Sequence, residues 1–202
     1  MKKIMFNDKY GLTQAVLEGR KTQTRRIARV SKHTFELLSG LFPEAPKELI
    51  QSVFKSNSRY DVDEIVAVAQ SYKDVGFRPD KILYRSIPSI DGYKQETAAS
   101  QKGWSNKMYV AANLMPHQIL ITKVRIQRLQ DISDEDCLAE GITCINNKKN
   151  IFGYNGMYEI PNGFNVYNTP REAYAVLIDE VGKKGDWDSN PYVFVYDFEL
   201  LK

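Results

Sequence analysis

A helix-to-strand transition near the N-terminus is encoded by Gly19-Arg20-Lys21-Thr22-Gln23-Thr24-Arg25-Arg26. Gly19 has no Cβ and allows the left-handed conformation in which helices commonly end. After this segment, residues 22–30 can run extended as a strand. Before it, apolar residues recur at helical spacing, so we predict a helix that is capped by Asn7 or Asp8 and buries Leu12, Ala15 and Val16.

The same segment concentrates positive charge. From Gly19 through Phe35 there are six Lys or Arg and no acid, whereas the whole chain has a net charge of +3, so the remainder sums to −3. Such a region favours an anionic ligand, and phosphate is the usual anion for Arg-rich segments. We therefore predict that Arg20, Arg25 and Arg26 contact phosphate or nucleic acid. The alternative is a solvated basic strand edge, where charge prevents aggregation.

The composition indicates one domain in a reducing compartment. A chain of 202 residues with 43% hydrophobic content can bury a core. We predict a single domain over residues 1–202 with insertions near 33–59, 72–106 and 143–168. Two cysteines and two histidines suit neither a disulfide framework nor a zinc site, so we expect no metal and no cofactor. Because neither a signal peptide nor a membrane span is visible, we expect a soluble cytoplasmic protein.

Apolar periodicity predicts most of the remaining elements. In chain order they are polar helical turns over residues 32–59 with a stripe of Leu49, Ile50, Val53 and Phe54; a central strand over 64–70; a short strand over 82–87; strands over 107–112 and 118–129; a hairpin over 143–168; and a last strand over 192–200. In the 118–129 strand, the pattern places Leu120, Thr122, Val124 and Ile126 on one face. The hairpin is rich in Asn and aromatic residues, which could instead stack on a base.

A long helix is predicted to begin at Thr169-Pro170-Arg171-Glu172 and to end at Gly182. Thr occupies the cap, Pro the first turn and Glu the capping-box position. Its predicted buried stripe consists of Ala173, Tyr174, Leu177, Ile178 and Val181.

Glu140 stands in the last turn of another predicted helix. Ser133 caps this helix, acids fill its first turn as the dipole prefers, and Gly141 ends it. An anion in the last turn is disfavoured by about 0.3–1 kcal/mol. Such a violation is either a tolerated surface accident or a functional position. Cys137 lies in the same helix and is predicted to pack rather than to react.

Four blocks of sequence occur in the order Gly19-x-Lys21-Thr22-x-Thr24-x-Arg26, Glu64 to Val68, Leu129 to Ile142, and Tyr192 to Leu200. Together they resemble the ASCH domain family over about half of the chain, and the first block is the most specific. The resemblance implies an α+β protein with a PUA-like mixed β-barrel and flanking short helices. A longer frame, which includes residues 115–117 and 187–191, is similar to ASCH-like proteins of bacteria and their phages.

One branch of this family is a small bacterial amidohydrolase that removes the acyl group from N-acetylated cytidine with a Lys, a Thr and a Glu. The resemblance places these roles on Lys21, Thr24 and Glu140. Lys21 would activate the Thr24 hydroxyl as a nucleophile, and Glu140 would carry a proton to the leaving amine. Because residues 21 and 24 face opposite sides of a regular strand, the triad requires a turn or bulge after Gly19.

The chain is about twice as long as that enzyme branch, so substrate identity does not carry over. Three functions therefore remain open. The first is an amidohydrolase acting on an N-acylated nucleoside or RNA, and the second is a non-catalytic module that binds RNA or a nucleotide. The third is an interaction protein of a mobile element. A nucleoside-sized pocket would favour the first, an open basic groove the second, and an exposed apolar patch the third.

Overall fold

The computed structural model describes residues 1–28, 57–76, 102–149 and 155–201. Its strands are β1 (Lys3–Ile4), β2 (Gln23–Ile27), β3 (Ile65–Val68), β4 (Gln118–Arg128), β5 (Thr143–Lys149), β6 (Asn155–Glu159), β7 (Val166–Tyr167) and β8 (Tyr192–Leu201). Its α-helices are α1 (Leu12–Leu17), α2 (Asp134–Ala139), α3 (Pro170–Val181) and α4 (Asp186–Ser189). The predicted α+β class is confirmed.

The strands of the described ranges form two separate sheets. The larger has five strands in the order β1-β3-β4-β8-β2, with β1 parallel to β3 and the other pairs antiparallel. The smaller is an antiparallel β5-β6-β7 sheet, which confirms the predicted hairpin. No closed barrel forms within the four described ranges. Strand β2, which carries the basic segment, has β8 as its only neighbour in this sheet order.

Strand β3 is central, as its continuous apolar run predicts. It pairs with β1 on one side and β4 on the other, and Val66, Ala67 and Val68 are fully buried. Strand β8 is also covered on both faces, because Val193, Phe194, Val195 and Tyr196 are all buried. A strand buried on both faces needs no polar alternation.

In the first half of β4, the predicted assignment of side chains to the two faces of the strand is wrong, because the strand contains a bulge. Pairing with β8 shifts register between Ile121 and Lys123. Before the shift, Ile119 and Ile121 are the fully buried residues, whereas Thr122 is exposed. After it, Val124 and Ile126 pack against the core. One extra residue reverses the alternation of faces, so a regular period cannot describe the whole strand.

The strand predicted over residues 107–112 is also wrong. The chain forms 3₁₀ turns at Lys107–Tyr109 and Ala112–Leu114. The Asn106 side chain accepts a hydrogen bond from the Met108 amide at 2.9 Å, and this local bond favours a turn over strand pairing. The predicted stripe over residues 49–54 and the strand over 82–87 lie outside the described residues.

Helix α1 buries Leu12, Ala15 and Val16, as predicted. It begins later than predicted, because its cap is Gly11 at φ 59° and no side chain caps it. Gly19 has φ 73°, so the left-handed exit two residues beyond the helix is confirmed.

The start of α3 is confirmed at atomic level. The Thr169 hydroxyl accepts a hydrogen bond from the Glu172 amide at 3.1 Å, and Pro170 occupies the first turn. The Glu172 carboxylate accepts from the Asn168 amide rather than from Thr169. The helix buries Ala173, Tyr174 and Leu177. It therefore lays an apolar face over the core.

Helix α2 has the predicted cap, because Ser133 accepts a hydrogen bond from the Asp136 amide at 3.1 Å. Cys137 is fully buried, and burial raises the pKa of its thiol to about 12. A thiol with this pKa is neutral and unreactive at physiological pH, so the predicted packing role is confirmed.

Gly141 closes α2 at φ 104°, and a Cβ there would lie 3.4 Å from Leu12 Cδ2. We expect Gly141→Ala to lower the free energy of unfolding by about 1–2 kcal/mol, because L-residues are strained at positive φ. Urea denaturation monitored by circular dichroism measures this change. An unchanged denaturation midpoint would contradict the need for a left-handed residue at this turn.

Candidate functional site

Lys21 lies in a turn before β2 rather than in the strand. The amides of Arg20 and Lys21 both donate to the Ala15 carbonyl, at 2.9 and 3.0 Å, so the chain wraps around the end of α1. The required turn after Gly19 is therefore present. It places the Lys21 side chain in the interior, where the residue is only 2% exposed.

Glu140 reaches Lys21 from the C-terminus of α2. The Thr22 amide donates to the Ala139 carbonyl at 2.9 Å, which fixes the end of the helix beside the start of β2. Lys21 Nζ then donates to Glu140 Oε2 at 2.6 Å and to the Glu140 carbonyl at 2.7 Å. A buried cation at the helix end offsets the unfavourable position of the Glu140 carboxylate in the dipole. The exception noted in the sequence is therefore a buried ion pair and not a surface accident.

Arg25 holds the same carboxylate from a second direction. Its Nη1 lies 3.2 Å from Glu140 Oε1, and its Nη2 lies 2.6 Å from Asp136 Oδ2. Residues 136 and 140 are one helical turn apart and share a face of α2, so one guanidinium can bridge both carboxylates. The Arg25 side chain is fully buried.

A wider polar network surrounds these groups. Gln23 Nε2 donates to Asp136 Oδ1 at 3.1 Å and to Asp197 Oδ1 at 2.6 Å. Arg125 pairs with Asp197 at 3.0 Å and with Asp136 at 3.5 Å. We call the set of Lys21, Arg25, Arg125, Asp136, Glu140 and Asp197 the ionic cluster. It contains three cations and three anions, so its formal charges balance.

Sequence reasoning missed Gln23, Arg125, Asp136 and Asp197. A signal for Asp197 was visible, because it is a carboxylate in the middle of an otherwise aromatic and aliphatic strand. Its partner Gln23 lies directly opposite it in the β2–β8 register. No periodicity predicts this register, because it depends on which strands become neighbours.

Burial controls the electrostatics of the pair. Desolvation by burial lowers the pKa of Lys21 below its ordinary value, the Glu140 carboxylate opposes that shift, and Arg26 and Arg25 add to it. Burial alone would raise the pKa of Asp136, but hydrogen bonds from Gln23 and Arg25 and the charges of Arg25 and Arg125 outweigh it and lower the pKa. Lys21 is thus an amine that gives up its proton more readily than a free lysine does.

Thr24 lies apart from this pair. It alternates with Gln23 and Arg25 along β2, so it faces the opposite side of the sheet, where its register partner is Tyr196. It is buried, at 4% exposure. Within the described ranges, its hydroxyl forms no hydrogen bond with Lys21 or Glu140. The structure therefore brings together two of the three predicted catalytic residues.

The three arginines predicted to bind phosphate occupy different environments. Arg20 pairs with exposed Glu18 at 2.5 Å. Arg25 is enclosed in the ionic cluster, so an anion could bind it only by displacing its carboxylate partners. Arg26 is exposed and shares a neighbour with Lys21: its Cζ is 5.9 Å from the centre of the Phe6 ring, and Lys21 Nζ is 5.8 Å from the same ring. Arg26 is therefore the best placed of the three to meet a ligand near Lys21.

A cavity of about 600 Å³ opens beside Arg26 and is lined in part by Arg59, Tyr60, Phe194 and Tyr196. The Arg59 guanidinium lies 5.6 Å from the Tyr60 ring centre, and the Phe194 and Tyr196 rings stack at 6.0 Å. This volume falls in the range of small-molecule sites. Cations and aromatic faces together suit a nucleotide.

Tyr174 also reaches the ionic cluster, from α3. Its ring centre lies 6.0 Å from Arg25 Cζ, and burial raises the pKa of its phenol well above the usual value. The Tyr174 hydroxyl and Arg25 Nε are buried and have no hydrogen-bond partner among the described residues. The phenol is therefore neutral.

Comparison with protein-family models, with curated proteins and with solved structures found no match to this chain. In the described ranges, no helix is long and apolar enough to cross a membrane. Nor does any group of three His, Cys, Asp or Glu side chains in those ranges have the arrangement of a metal site.

Proposed function

We propose that this chain is an ASCH-type domain that binds a modified nucleoside or nucleotide and hydrolyses an N-acyl amide of the cytidine type. Lys21, Thr24 and Glu140 are its catalytic residues. The observation that supports this most is the buried contact of 2.6 Å between Lys21 and Glu140, which lie 119 positions apart in sequence. Burial of an ion pair is costly and does not by itself favour stability, so a functional reason for keeping it is plausible.

The reaction requires neutral Lys21, and burial moves the amine towards that form. Neutral Lys21 removes the Thr24 hydroxyl proton as the oxygen attacks the acyl carbon. Lys21 passes this proton to Glu140, which it contacts at 2.6 Å, and Glu140 delivers it to the leaving amine as the C–N bond breaks. The acyl group stays on Thr24 as an ester. Water then hydrolyses the ester and releases the acid. Because Thr24 faces the other side of β2 and, among the described residues, its hydroxyl forms no hydrogen bond with Lys21, the reaction requires that substrate binding turn Thr24 towards the acyl carbon and Lys21.

A PUA-like barrel is part of the same proposal. The long antiparallel pair β4–β8 runs through the five-stranded sheet, and the bulge between Ile121 and Lys123 bends it. Bulges of this kind supply the curvature that a barrel wall requires. The described sheet is thus compatible with a barrel wall, and the single-domain arrangement over residues 1–202 goes with it.

A second candidate is a non-catalytic module that binds a nucleotide or RNA, as the cavity beside Arg26 favours. Exposed Arg26 and Arg59 would bind phosphate, and an aromatic wall would support a base. This function needs neither a neutral Lys21 nor the Thr24 hydroxyl. The two candidates therefore differ in their dependence on those residues.

The test is the release of cytidine from N-acetylated cytidine, followed by chromatography. Lys21→Arg keeps a cation beside Glu140 but removes a group that can act as a base, so we expect release to fall by about 100-fold or more. Lys9→Met is the control, because Lys9 is an exposed lysine that donates to Tyr10 and Glu180, neither of which belongs to the ionic cluster. It should leave the rate unchanged.

Absence of release at high enzyme concentration would contradict hydrolysis of this substrate. Fluorescence titration with cytidine monophosphate and with a short RNA then tests the second candidate. Binding that is weakened in Arg26→Met and Arg59→Met would support it.

A further inference from the structure

We propose that Arg25 is a positioning residue that fixes the Glu140 carboxylate against Lys21 and, through its charge, controls the protonation of Lys21. The inference concerns the site of the proposed function and rests on it for its catalytic meaning. Its geometry is independent of any substrate.

The Glu140 carboxylate is divided between two cations. Oε2 accepts from Lys21 at 2.6 Å, and Oε1 accepts from Arg25 at 3.2 Å. Each oxygen thus has its own donor, and rotation of the carboxylate would break both contacts. Because the two oxygens are equivalent, the pair of contacts fixes the plane of the carboxylate rather than the identity of either oxygen. Arg25 therefore sets the orientation in which Glu140 meets the amine.

Arg25 is itself held from several directions. Its Nη2 donates to Asp136 at 2.6 Å, and its Nη1 also donates to the Gln23 side-chain oxygen. Gln23 is in turn fixed by Asp136 and Asp197. The guanidinium is consequently locked in place before any ligand arrives, which is the condition for a positioning role.

The charges near Lys21 determine whether removal of a neighbour strengthens or weakens the binding of its proton. The charged groups that act on Lys21 are Glu140 from the end of α2 and Arg26 and Arg25 from β2. Neutral Tyr174 from α3 lies against Arg25, and Asp136, Arg125 and Asp197 lie beyond. Removal of Arg25 leaves the ionic cluster with one excess negative charge and leaves Glu140 to Lys21 alone. The proton on Lys21 is then held more tightly. Removal of the Asp136 charge does the opposite.

Titration of the Lys21 amine measures this directly and requires no substrate. In protein labelled with ¹³C and ¹⁵N at lysine, the Lys21 signal is assigned by its loss in Lys21→Arg and followed against pH. We expect Arg25→Met to raise the Lys21 midpoint by about one pH unit or more. Arg25→Lys keeps the charge and should move it by less than half of that shift. Asp136→Asn should lower the midpoint.

The opposite shifts of the Lys21 midpoint expected in Arg25→Met and Asp136→Asn distinguish a positioning role from general loosening of the site. A loosened site would expose Lys21 to water and raise its midpoint towards the ordinary value in every variant. A lower midpoint in Asp136→Asn has no such explanation, and this variant keeps the test valid if Arg25→Met does not fold. Lys9→Met and Asp61→Asn remove the same charges at exposed positions and should cause no shift.

Two results would overturn the inference: a Lys21 midpoint that stays the same in Arg25→Met, or one that rises in Asp136→Asn. Failure of the proposed function would be seen separately, because it would appear as absence of cytidine release from the unaltered protein. The pH dependence of cytidine release connects the Lys21 titration with the proposed hydrolysis. In Arg25→Lys, the acid limb of the rate should stay near that of the unaltered protein, whereas in Arg25→Met it should move to higher pH.

Discussion

Lys21→Met should lower the free energy of unfolding by about 3–5 kcal/mol, because among the described residues it leaves buried Glu140 with Arg25, at 3.2 Å, as its one cationic partner. Glu140→Leu should cost a similar amount, because it leaves the Lys21 ammonium in an apolar interior beside Arg25 and Arg26. Denaturation by urea, monitored by circular dichroism, measures both changes.

The double variant Lys21→Met with Glu140→Leu should lose much less than the sum of the two single variants. It removes one cation and one anion, so Arg25, Arg125, Asp136 and Asp197 remain balanced. Isosteric apolar replacement of a buried ion pair is often neutral or stabilising. We expect a coupling energy of at least about 3 kcal/mol, the upper end for contacting residues.

The pair Lys2–Glu64, at 2.9 Å, is the control, because its side chains are 45% and 22% exposed. Solvent screens these charges, so its coupling energy should be about 0.2–1 kcal/mol. Equal coupling in the two pairs would contradict the buried character of the Lys21–Glu140 contact. Losses that simply add in the double variant would contradict the direct contact.

The elements with local signals were predictable from sequence. Thr169 and Ser133 cap their helices as expected, because capping depends on residues three positions apart. The central strand over residues 65–68 is also found, because a continuous apolar run indicates burial on both faces. These features need no knowledge of distant parts of the chain.

The secondary-structure predictions are wrong where tertiary contacts override local sequence preferences. An alternating sequence pattern does not reveal the bulge after Ile121. The hydrogen bond of the Asn106 side chain stabilises a turn in a segment that has the composition of a strand. The face assignment of β4 and the strand over residues 107–112 were therefore predicted wrongly. Both depend on pairing partners or on specific side-chain hydrogen bonds.

For the candidate site, the sequence indicated Glu140 by its unfavourable place in the helix dipole, and family resemblance selected it together with Lys21. Their contact is now explained by the turn after Gly19 and the link between Thr22 and Ala139. The enclosure of Arg25 was not predictable, because a cluster of arginines in sequence does not reveal which one turns inward. The catalytic roles themselves stay predictions.

Thr24→Val should reduce the hydrolysis of N-acetylated cytidine by at least about a thousandfold, because it removes the hydroxyl that attacks the acyl carbon. Valine keeps the branched shape of threonine, and among the described residues no hydrogen bond of the Thr24 side chain is lost. The free energy of unfolding should therefore stay within about 1 kcal/mol of the unaltered value. Loss of activity without loss of stability is the signature expected of a nucleophile.

Thr24→Ser is the matched variant, because it keeps the hydroxyl and removes only a methyl group. It should retain measurable hydrolysis and, under rapid quenching, show a covalent mass increase of one acetyl group that Thr24→Val lacks. Full activity in Thr24→Val would contradict the covalent route. Since Thr24 and Lys21 lie apart in the structure, that result would point to neutral Lys21 activating water directly, with Glu140 still serving the leaving amine.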